Sequence, residues 1–327
     1  MTTDTTEPSA AERSAALDAL RGDRRRYGDT LFKGTATASG TGILLILAAV
    51  ATFLTVLSFP AITSPAADLP YGAFWSWVFP YAAGTIWAAG LAMLFAVPVA
   101  LGVALFITHY APRRLAVSLG YIIDLLAAVP SVVFGLWGIN VLAPMLQPAY
   151  VWLNTNFGDV WGLSWLFGGT VSGTGRTILT VALVLAVMVL PIITAVSREV
   201  FLQTPRLHEE ASLALGATRW EMIRQAVLPF GTPGIVSACM LGLGRALGET
   251  MAVAMVLSPG NGFHTLLLTS SNPNSIAANI ALQFPEAYGL ARNQLIASGL
   301  VLFLITLIVN MGARAIVARR SEFSGAN

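Results

Sequence analysis

Six apolar stretches, each long enough to cross a lipid bilayer, constrain this chain of 327 residues more than any other feature. They lie near 36–58, 81–109, 117–144, 175–200, 231–258 and 293–315. A hydrocarbon core of about 30 Å requires roughly 20 apolar residues in helical form. Charged residues make up only 10% of the chain, whereas soluble domains average about 25%. We therefore predict an all-α integral membrane protein with six transmembrane helices.

Three prolines fall inside the predicted spans, at positions 98, 130 and 191. Membrane helices tolerate proline where neighbouring groups satisfy the freed backbone. The first apolar run follows more than thirty polar residues and exceeds the core of a signal peptide. We expect this span to remain uncleaved.

The basic residues predict the orientation of the chain, because cytosolic loops of membrane proteins are enriched in Lys and Arg. Fifteen of the eighteen basic residues fall on one side: Arg13, Arg21, Arg24, Arg25, Arg26, Lys33, Arg113, Arg114, Arg198, Arg206, Arg219, Arg224, Arg314, Arg319 and Arg320. We predict a multi-pass protein of the bacterial cell membrane with both termini in the cytosol. The Arg run at 24–26 suits a juxtamembrane lipid anchor, and no nucleic-acid binding is expected. The predicted segments are a cytosolic tail (1–35), a first span with its outer loop (36–74), a main transmembrane domain (75–315) and a C-terminal tail (316–327).

A charged segment, residues 205–229, lies between the fourth and fifth apolar runs and predicts two short helices. Pro205 is suited to the start of the first helix. The carboxylates of Glu209 and Glu210 lie early in that helix, where they interact favourably with the partial positive charge of its N-terminus. Gly216 is expected to end this first helix. A rigid polar projection between two spans is a surface that a soluble partner can grip.

The second helix of this segment is predicted from its ends. Thr218 with Glu221 three residues later is a capping-box sequence, and Pro229 is expected to terminate the helix. The two predicted helices therefore form a helix–turn–helix segment on a glycine hinge.

The fifth apolar run contains two charges, Arg245 and Glu249. A charge at the bilayer centre costs about 2.5–3.5 kcal/mol on insertion scales, and residues four apart share one helix face. One interpretation is an ion pair that fixes helix packing; the other is that Arg245 presents positive charge to an anion in transit while Glu249 holds it. A GxxxG step, Gly244 and Gly248, predicts close approach of another helix. Asp124 is expected to be a third buried acid, and pairing with a basic loop residue is favoured over lining the path.

The residues give no sign of catalysis. The glycine-rich stretch 168–177 lacks the first Gly and the Lys of a phosphate-binding loop, which leaves a flexible turn or a contact near the solute entrance as alternatives. His109, His208 and His264 are far apart in sequence, so no metal site is predicted, and Cys239 stands alone. We expect a non-enzymatic subunit whose energy comes from another chain.

Two sets of residues carry a family resemblance. The order Glu210-Ala211-Ser212, Gly216, Ala226, Leu228-Pro229 resembles the EAA loop of ABC-importer permeases, with Ser and Ala replacing Ala and Ile. Residues 123–138, 191–201 and 244–253 resemble the phosphate-specific ABC importer permeases, in the form called PstC rather than its sister PstA. This resemblance covers roughly residues 75–315.

The resemblance implies a type I ABC importer permease (MetI-like) fold and a set of partners. These are the sister permease PstA, two copies of the ATPase PstB, which would hold ATP and Mg²⁺, and an extracytoplasmic phosphate-binding protein, PstS. No cofactor is expected on this chain itself. The residues expected to contact the ATPase are Glu209, Glu210, Ala211, Gly216 and Arg219. Arg245 and Glu249 match the charged pair of the family's fifth span.

The resemblance implies import of inorganic phosphate by alternating access. Physical reasoning leaves another oxyanion, such as sulfate or molybdate, open as the substrate. An ion-coupled secondary transporter is a further alternative, although the inverted repeats and broken helices typical of that class are not evident. A membrane scaffold without transport activity is a third.

Overall fold

The computed structural model describes residues 27–258, 260, 262–272 and 274–321. Over these residues the chain is helical, with connecting loops and no strand. The α-helices are α1 (Tyr27–Thr63), α2 (Phe74–Leu105), α3 (Arg113–Ala127), α4 (Ser131–Trp137), α5 (Ala143–Phe157), α6 (Ser164–Phe167), α7 (Ile178–Leu202), α8 (Arg206–Ala214), α9 (Arg219–Met222), α10 (Leu228–Gly248), α11 (Met251–Val256), α12 (Ile276–Gln283) and α13 (Leu290–Ser321). Single π-helical turns extend α2, join α4 to α5 and join α9 to α10.

Six helical stretches in the described part of the chain are long and apolar enough to span a membrane, which confirms the predicted fold class. They are Thr30–Thr63, Phe74–Tyr110, Ser131–Phe157, Ile178–Leu202, Arg219–Gly248 and Leu290–Ala315. Pro98 and Pro191 lie inside α2 and α7, as predicted.

The third span differs from its prediction. It comprises 131–157 rather than 117–144, because Pro130 stands between two helices with an extended backbone (φ −60°, ψ 140°). Proline lacks an N–H and disfavours helical geometry in the residue before it. The preceding α3 is a separate amphipathic helix.

The chain divides into two units, at residues 53 and 54. In the first unit, residues 27–35, which we predicted to belong to a polar tail, are already part of α1. The five N-terminal arginines lie outside the described residues. In the second unit, α13 continues to Ser321, beyond the predicted end of the last span at residue 315.

The core of the second unit is built around α7, whose Leu185, Met188 and Ile193 are almost completely inaccessible to solvent. Helix α2 presents small residues at intervals of four on one buried face: Ala88, Ala92, Ala96, Ala100 and Ala104. Residues four apart lie on one side of a helix, and small side chains let membrane helices approach closely. This alanine face therefore explains the close contact between α2 and α7.

Helix α10 approaches α7 through glycines. A Cβ atom at Gly242 would stand 2.7 Å from side-chain atoms of Ile193, and one at Gly234 would overlap Val200. A side chain at either position would force its neighbour on α7 to shift. The glycines thus fix α10 against the most buried span.

Two loops interlock at one end of α7, and we call them the loop cap (residues 158–177 and 262–272). The Ser172 N–H donates to the Leu268 carbonyl (2.8 Å), and the Leu267 N–H donates to the Leu166 carbonyl (2.8 Å). Thr265 Oγ1 donates to the Trp165 carbonyl (2.8 Å). Helix α7 has 25 residues, so about 37 Å separates the cap from the helix–turn–helix segment at its other end.

Candidate functional site

The helix–turn–helix segment has the local structure that its sequence predicts. Helix α8 begins directly after Pro205, and Gly216 adopts φ +85°, a conformation that glycine takes without strain. The capping box is formed: the Thr218 N–H donates to Glu221 Oε2 (2.8 Å), and the Glu221 N–H donates to Thr218 Oγ1 (3.3 Å).

Pro229 does not end the second helix, which corrects that prediction. Helix α9 passes through the π-helical turn Ile223–Val227 directly into α10. The change of hydrogen-bond register places Pro229 in the first turn of α10, where proline is tolerated. A continuous helix of 30 residues, Arg219–Gly248, results. At 1.5 Å per residue it is about 45 Å long, so it links the helix–turn–helix segment to the far end of the fifth span.

The segment is fastened to the helix bundle by His109, a residue to which we assigned no role from sequence. His109 Nε2 lies 3.6 Å from Glu209 Oε1 in α8. The His109 carbonyl accepts a long hydrogen bond from Arg219 Nη1 in α9 (3.5 Å). Thr108 Oγ1 lies 2.7 Å from Nδ1 and orients the ring. One residue at the end of the second span therefore contacts both helices of the segment.

Apolar packing reinforces this attachment. Met222, Ile223 and Val227 are buried against Phe201 of α7 and Ala104 of α2. The start of the long helix is thus seated on the ends of two other spans. A displacement of the segment must therefore also move α10.

The outer surface of the segment is exposed and partly apolar. Glu210, Ala211, Gly216 and Arg219 are exposed, whereas Glu209 is half-buried against His109.

A cavity of about 570 Å³ opens on this surface of the segment, lined in part by His208, Ala211, Gly216, Gln225 and Phe230. Leu215 beside it is 90% exposed. A concave surface with exposed apolar side chains is typical of a protein interaction site.

The charged pair of the fifth span is arranged differently from its prediction. Helix α10 ends at Gly248, and Glu249 is extended (φ −69°, ψ 129°). Although both residues are described, no ion pair within 4.0 Å joins Arg245 to Glu249. Glu249 is buried, and its Oε1 accepts the N–H of Ala252 (3.2 Å) in α11. The carboxylate therefore stabilises the positive end of the next helix rather than pairing with Arg245.

Arg245 is left with an unused hydrogen-bond donor. Its side chain is half-buried, and its Nε is inaccessible to solvent without an acceptor among the described residues. Guanidinium groups bind oxyanions through such donors. The structural ion pair is therefore not formed, and the geometry is compatible with the interpretation that Arg245 faces an anion.

Gly244 and Gly248 have no described atom within 4 Å of where a Cβ would stand. Within the described chain, the close helix contact expected of this step is made instead by other glycines of α10, among them Gly242 against α7. Close packing of another helix on Gly244 and Gly248 stays a prediction, with the helix coming from a partner subunit.

Asp124 is exposed rather than buried, which corrects its prediction. It belongs to α3, next to the buried Ile123 in sequence. It borders a cavity of about 520 Å³ together with Arg113 and Arg198. Among the described residues it forms no ion pair, so the predicted pairing with a basic residue is not present.

The glycine-rich stretch 168–177 is an ordered part of the loop cap and not a free turn. Asn154 Nδ2 donates to the carbonyls of Phe167 (2.6 Å) and Gly169 (3.1 Å). Thr177 caps α7 by accepting the N–H of Thr180 (3.2 Å). Within the described residues, no group of three or more His, Cys, Asp or Glu side chains is placed to hold a metal ion.

Comparisons with known proteins agree with this architecture. Residues 96–322 match the family model described as "Binding-protein-dependent transport system inner membrane component". Chains from two crystal structures of a bacterial ABC transporter for alginate share the fold, with TM-scores of 0.59 and 0.60 at 17% identity. The first alignment covers 92% of this chain and 99% of the other, and the second covers 91% and 98%. The protein is thus a multi-pass inner-membrane permease subunit with the ABC importer fold.

Sequence identity to characterised relatives identifies the family within this class of permeases. The phosphate transport system permease protein PstC 2 of Mycobacterium tuberculosis is 44% identical over 95% of this chain and 97% of its own length. PstC of Mycobacterium leprae is 48% identical over 72% and 73% of the two chains, and PstC of Pasteurella multocida is 39% identical over 91% and 94%. The chain belongs to the PstC family of transport permeases.

Proposed function

We propose that this chain is the permease subunit of an ATP-driven importer that moves inorganic phosphate into the cytoplasm. One structural observation carries the transport mechanism: a single helix, Arg219–Gly248, begins in the exposed helix–turn–helix segment and carries Arg245 near its other end, where its Nε has no acceptor among the described residues. The choice of phosphate rests on the PstC relatives, which are named as phosphate permeases.

The distribution of arginines supports an orientation with the helix–turn–helix segment and both termini in the cytosol. In this orientation the segment faces an ATPase, and the loop cap faces an extracytoplasmic binding protein. By family analogy these partners are PstB and PstS, and the sister permease is PstA. Gly244 and Gly248 offer the sister permease an open surface for close helix packing.

Arg245 supplies the positive charge of the pathway in this proposal. Among the described residues it forms no ion pair, and its side chain is only half-buried, so a phosphate oxygen can approach the guanidinium without first breaking one. Glu249 stays engaged with α11 and does not neutralise Arg245. Partial burial strengthens the attraction, because charges interact more strongly away from bulk water.

Coupling to ATP follows from the connections of the segment. Closure of the ATPase dimer would push on α8 and α9, and the push reaches α10 through the unbroken helix. The end of α10 at Gly248 is where the chain changes direction, so a tilt of α10 alters the surroundings of Arg245. ATP and Mg²⁺ would be held by the ATPase, and this chain would bind no cofactor of its own.

Uptake of labelled phosphate by the assembled transporter tests the proposal, with Arg245→Gln as the variant. We expect uptake to fall by at least about 100-fold while the complex still assembles, because removal of a charged contact to a desolvated anion costs about 3 kcal/mol or more. Unchanged uptake in this variant would contradict a role of Arg245 in the pathway.

Competition with unlabelled sulfate and molybdate tests the substrate in the same assay. We expect excess unlabelled phosphate to suppress uptake, and sulfate and molybdate to have little effect. Equal suppression by sulfate or molybdate would assign the transporter to another oxyanion. Arg292→Gln, the same change at an exposed arginine of α13, serves as a control for expression and assembly.

A further inference from the structure

Arg176 reaches from the start of α7 to the end of the short helix α11. Its Nε donates to the Val256 carbonyl (3.2 Å), and Nη2 donates to the carbonyls of Met255 (3.0 Å) and Leu257 (3.3 Å). These carbonyls lie at the C-terminal end of α11, where the last turn lacks partners within the helix. A cation at this end is also favoured by the helix dipole.

Helix α11 is therefore held at both ends by charged side chains. Glu249 accepts the Ala252 N–H at its start, and Arg176 donates to three carbonyls at its end. The helix has only six residues, too few to be stable by its own hydrogen bonds. Its position depends on these two contacts and on its packing.

The backbone around Arg176 is fixed by its neighbours. Gly175 has φ +69°, and a Cβ there would overlap the Ala143 carbonyl. Thr180 Oγ1 donates to the Gly175 carbonyl (2.5 Å). The guanidinium is thus carried by a rigid junction between the loop cap and α7.

We propose that Arg176 is a positioning residue, a latch that holds α11, and with it Glu249, against the loop cap. Opening of the pathway on the cap side requires Arg176 to give up its contacts with the three carbonyls. This inference builds on the proposed function, since the pathway in question is the one that contains Arg245. Arg176 would then be a second site that governs opening of the pathway. It lies at the opposite end of α7 from the segment that contacts the ATPase.

The geometry also explains why arginine suits this position. The planar guanidinium spreads its donors in a fixed fork and serves three carbonyls from one place. A lysine at the same position carries a compact ammonium on a flexible chain, and it would hold the carbonyls less well. Arg176→Lys is therefore expected to retain part of the latch, and Arg176→Gln to lose it.

The test measures exposure of α11 in the assembled transporter, reconstituted in lipid nanodiscs without ATP or phosphate. Cys239→Ala removes the chain's single cysteine, and Val253→Cys places a thiol at a buried position of α11. The rate of labelling with a charged maleimide is compared with and without Arg176→Gln. We expect the rate to rise at least about tenfold, the effect of losing one charged hydrogen bond, and to rise less with Arg176→Lys.

Two controls make the result decisive. Arg292→Gln changes another arginine near the span borders, which lies over the ring of Phe284 (5.0 Å), and should leave the rate unchanged. Leu185→Cys, at a buried position of α7, reports general loosening. An unchanged rate at Val253→Cys, or an equal rise at Leu185→Cys, would overturn the latch. Because the assay uses no substrate, its outcome is independent of the identity of the transported anion.

Discussion

His109 is the residue through which the second span holds the helix–turn–helix segment. Its ring faces Glu209 of α8, and its carbonyl accepts from Arg219 of α9. The side chain of His109 is largely buried, whereas that of Glu209 is one-quarter exposed. The two helices can therefore move together with the end of α2 only while both contacts hold.

Substitution of His109 should loosen this attachment. We expect His109→Ala to lower the number of phosphate ions imported per ATP hydrolysed by roughly two- to fivefold, because a polar contact with a partly exposed carboxylate contributes at most about 1 kcal/mol. Glu209→Ala removes the same contact from the other side. Because the two residues act as a pair, the double variant should be little worse than either single one. Fully additive losses, measured as uptake and ATP hydrolysis in proteoliposomes, would show that the contact has no role in coupling.

Sequence separation explains which residues could be predicted. Gly216 and Thr218 cap helices through contacts with residues only a few positions away, so their roles can be predicted from the local sequence. His109 bonds Arg219 across 110 positions, and Arg176 bonds Val256 across 80. No periodicity or motif connects residues so far apart. Arg245 and Glu249 could be singled out as charges within an apolar span, but their actual partners depend on the fold.

At the scale of elements, the packing of α10 against α7 depends on which glycines face that helix. One close approach is at Gly242, which faces the fully buried Ile193, whereas Gly244 faces open space in the described chain. Both glycines lie in the same helix two positions apart. The same substitution at both positions therefore separates the effect of packing against α7 from the effect of helix propensity.

We expect Gly242→Ala and Gly244→Ala to change stability in opposite directions. The new methyl group at 242 would be forced against Ile193, at a cost of about 1–3 kcal/mol for overpacking. At 244 the change should stabilise the helix by up to about 1 kcal/mol, since alanine is the better helix former. Thermal unfolding of the purified chain in detergent measures both. Equal melting temperatures for the two variants would contradict the packing of α10 on α7.

The helix boundaries show why only part of the element pattern was predictable. The number and nature of the spans follow from apolar length alone. Proline gives an ambiguous signal: Pro191 lies inside a helix, Pro130 separates two helices, and Pro229 begins one. The break at Glu249 has no proline to mark it. It is stabilised by the carboxylate's contact with α11, a local conformation that the apolar pattern of the fifth span hides.

At the scale of the whole molecule, the proposed transport cycle depends on continuity between distant parts of the second unit. The helix–turn–helix segment continues into α10, α10 ends beside Glu249, and Glu249 begins α11, whose far end is held by Arg176 in the loop cap. A movement at one end of this series can therefore reach the other through continuous chain as far as α11, and through the hydrogen bonds of Arg176 from there to the loop cap. This arrangement suits alternating access, in which the two ends open in turn.

The central claim is that this chain moves phosphate only when an ATPase bound to its helix–turn–helix segment hydrolyses ATP. The most direct measurement is accumulation of labelled phosphate in proteoliposomes that contain the assembled transporter, compared with proteoliposomes that contain this chain alone under an imposed proton or sodium gradient. The account predicts ATP-dependent accumulation in the first case and none in the second. Accumulation by the isolated chain, driven by the ion gradient, would contradict it.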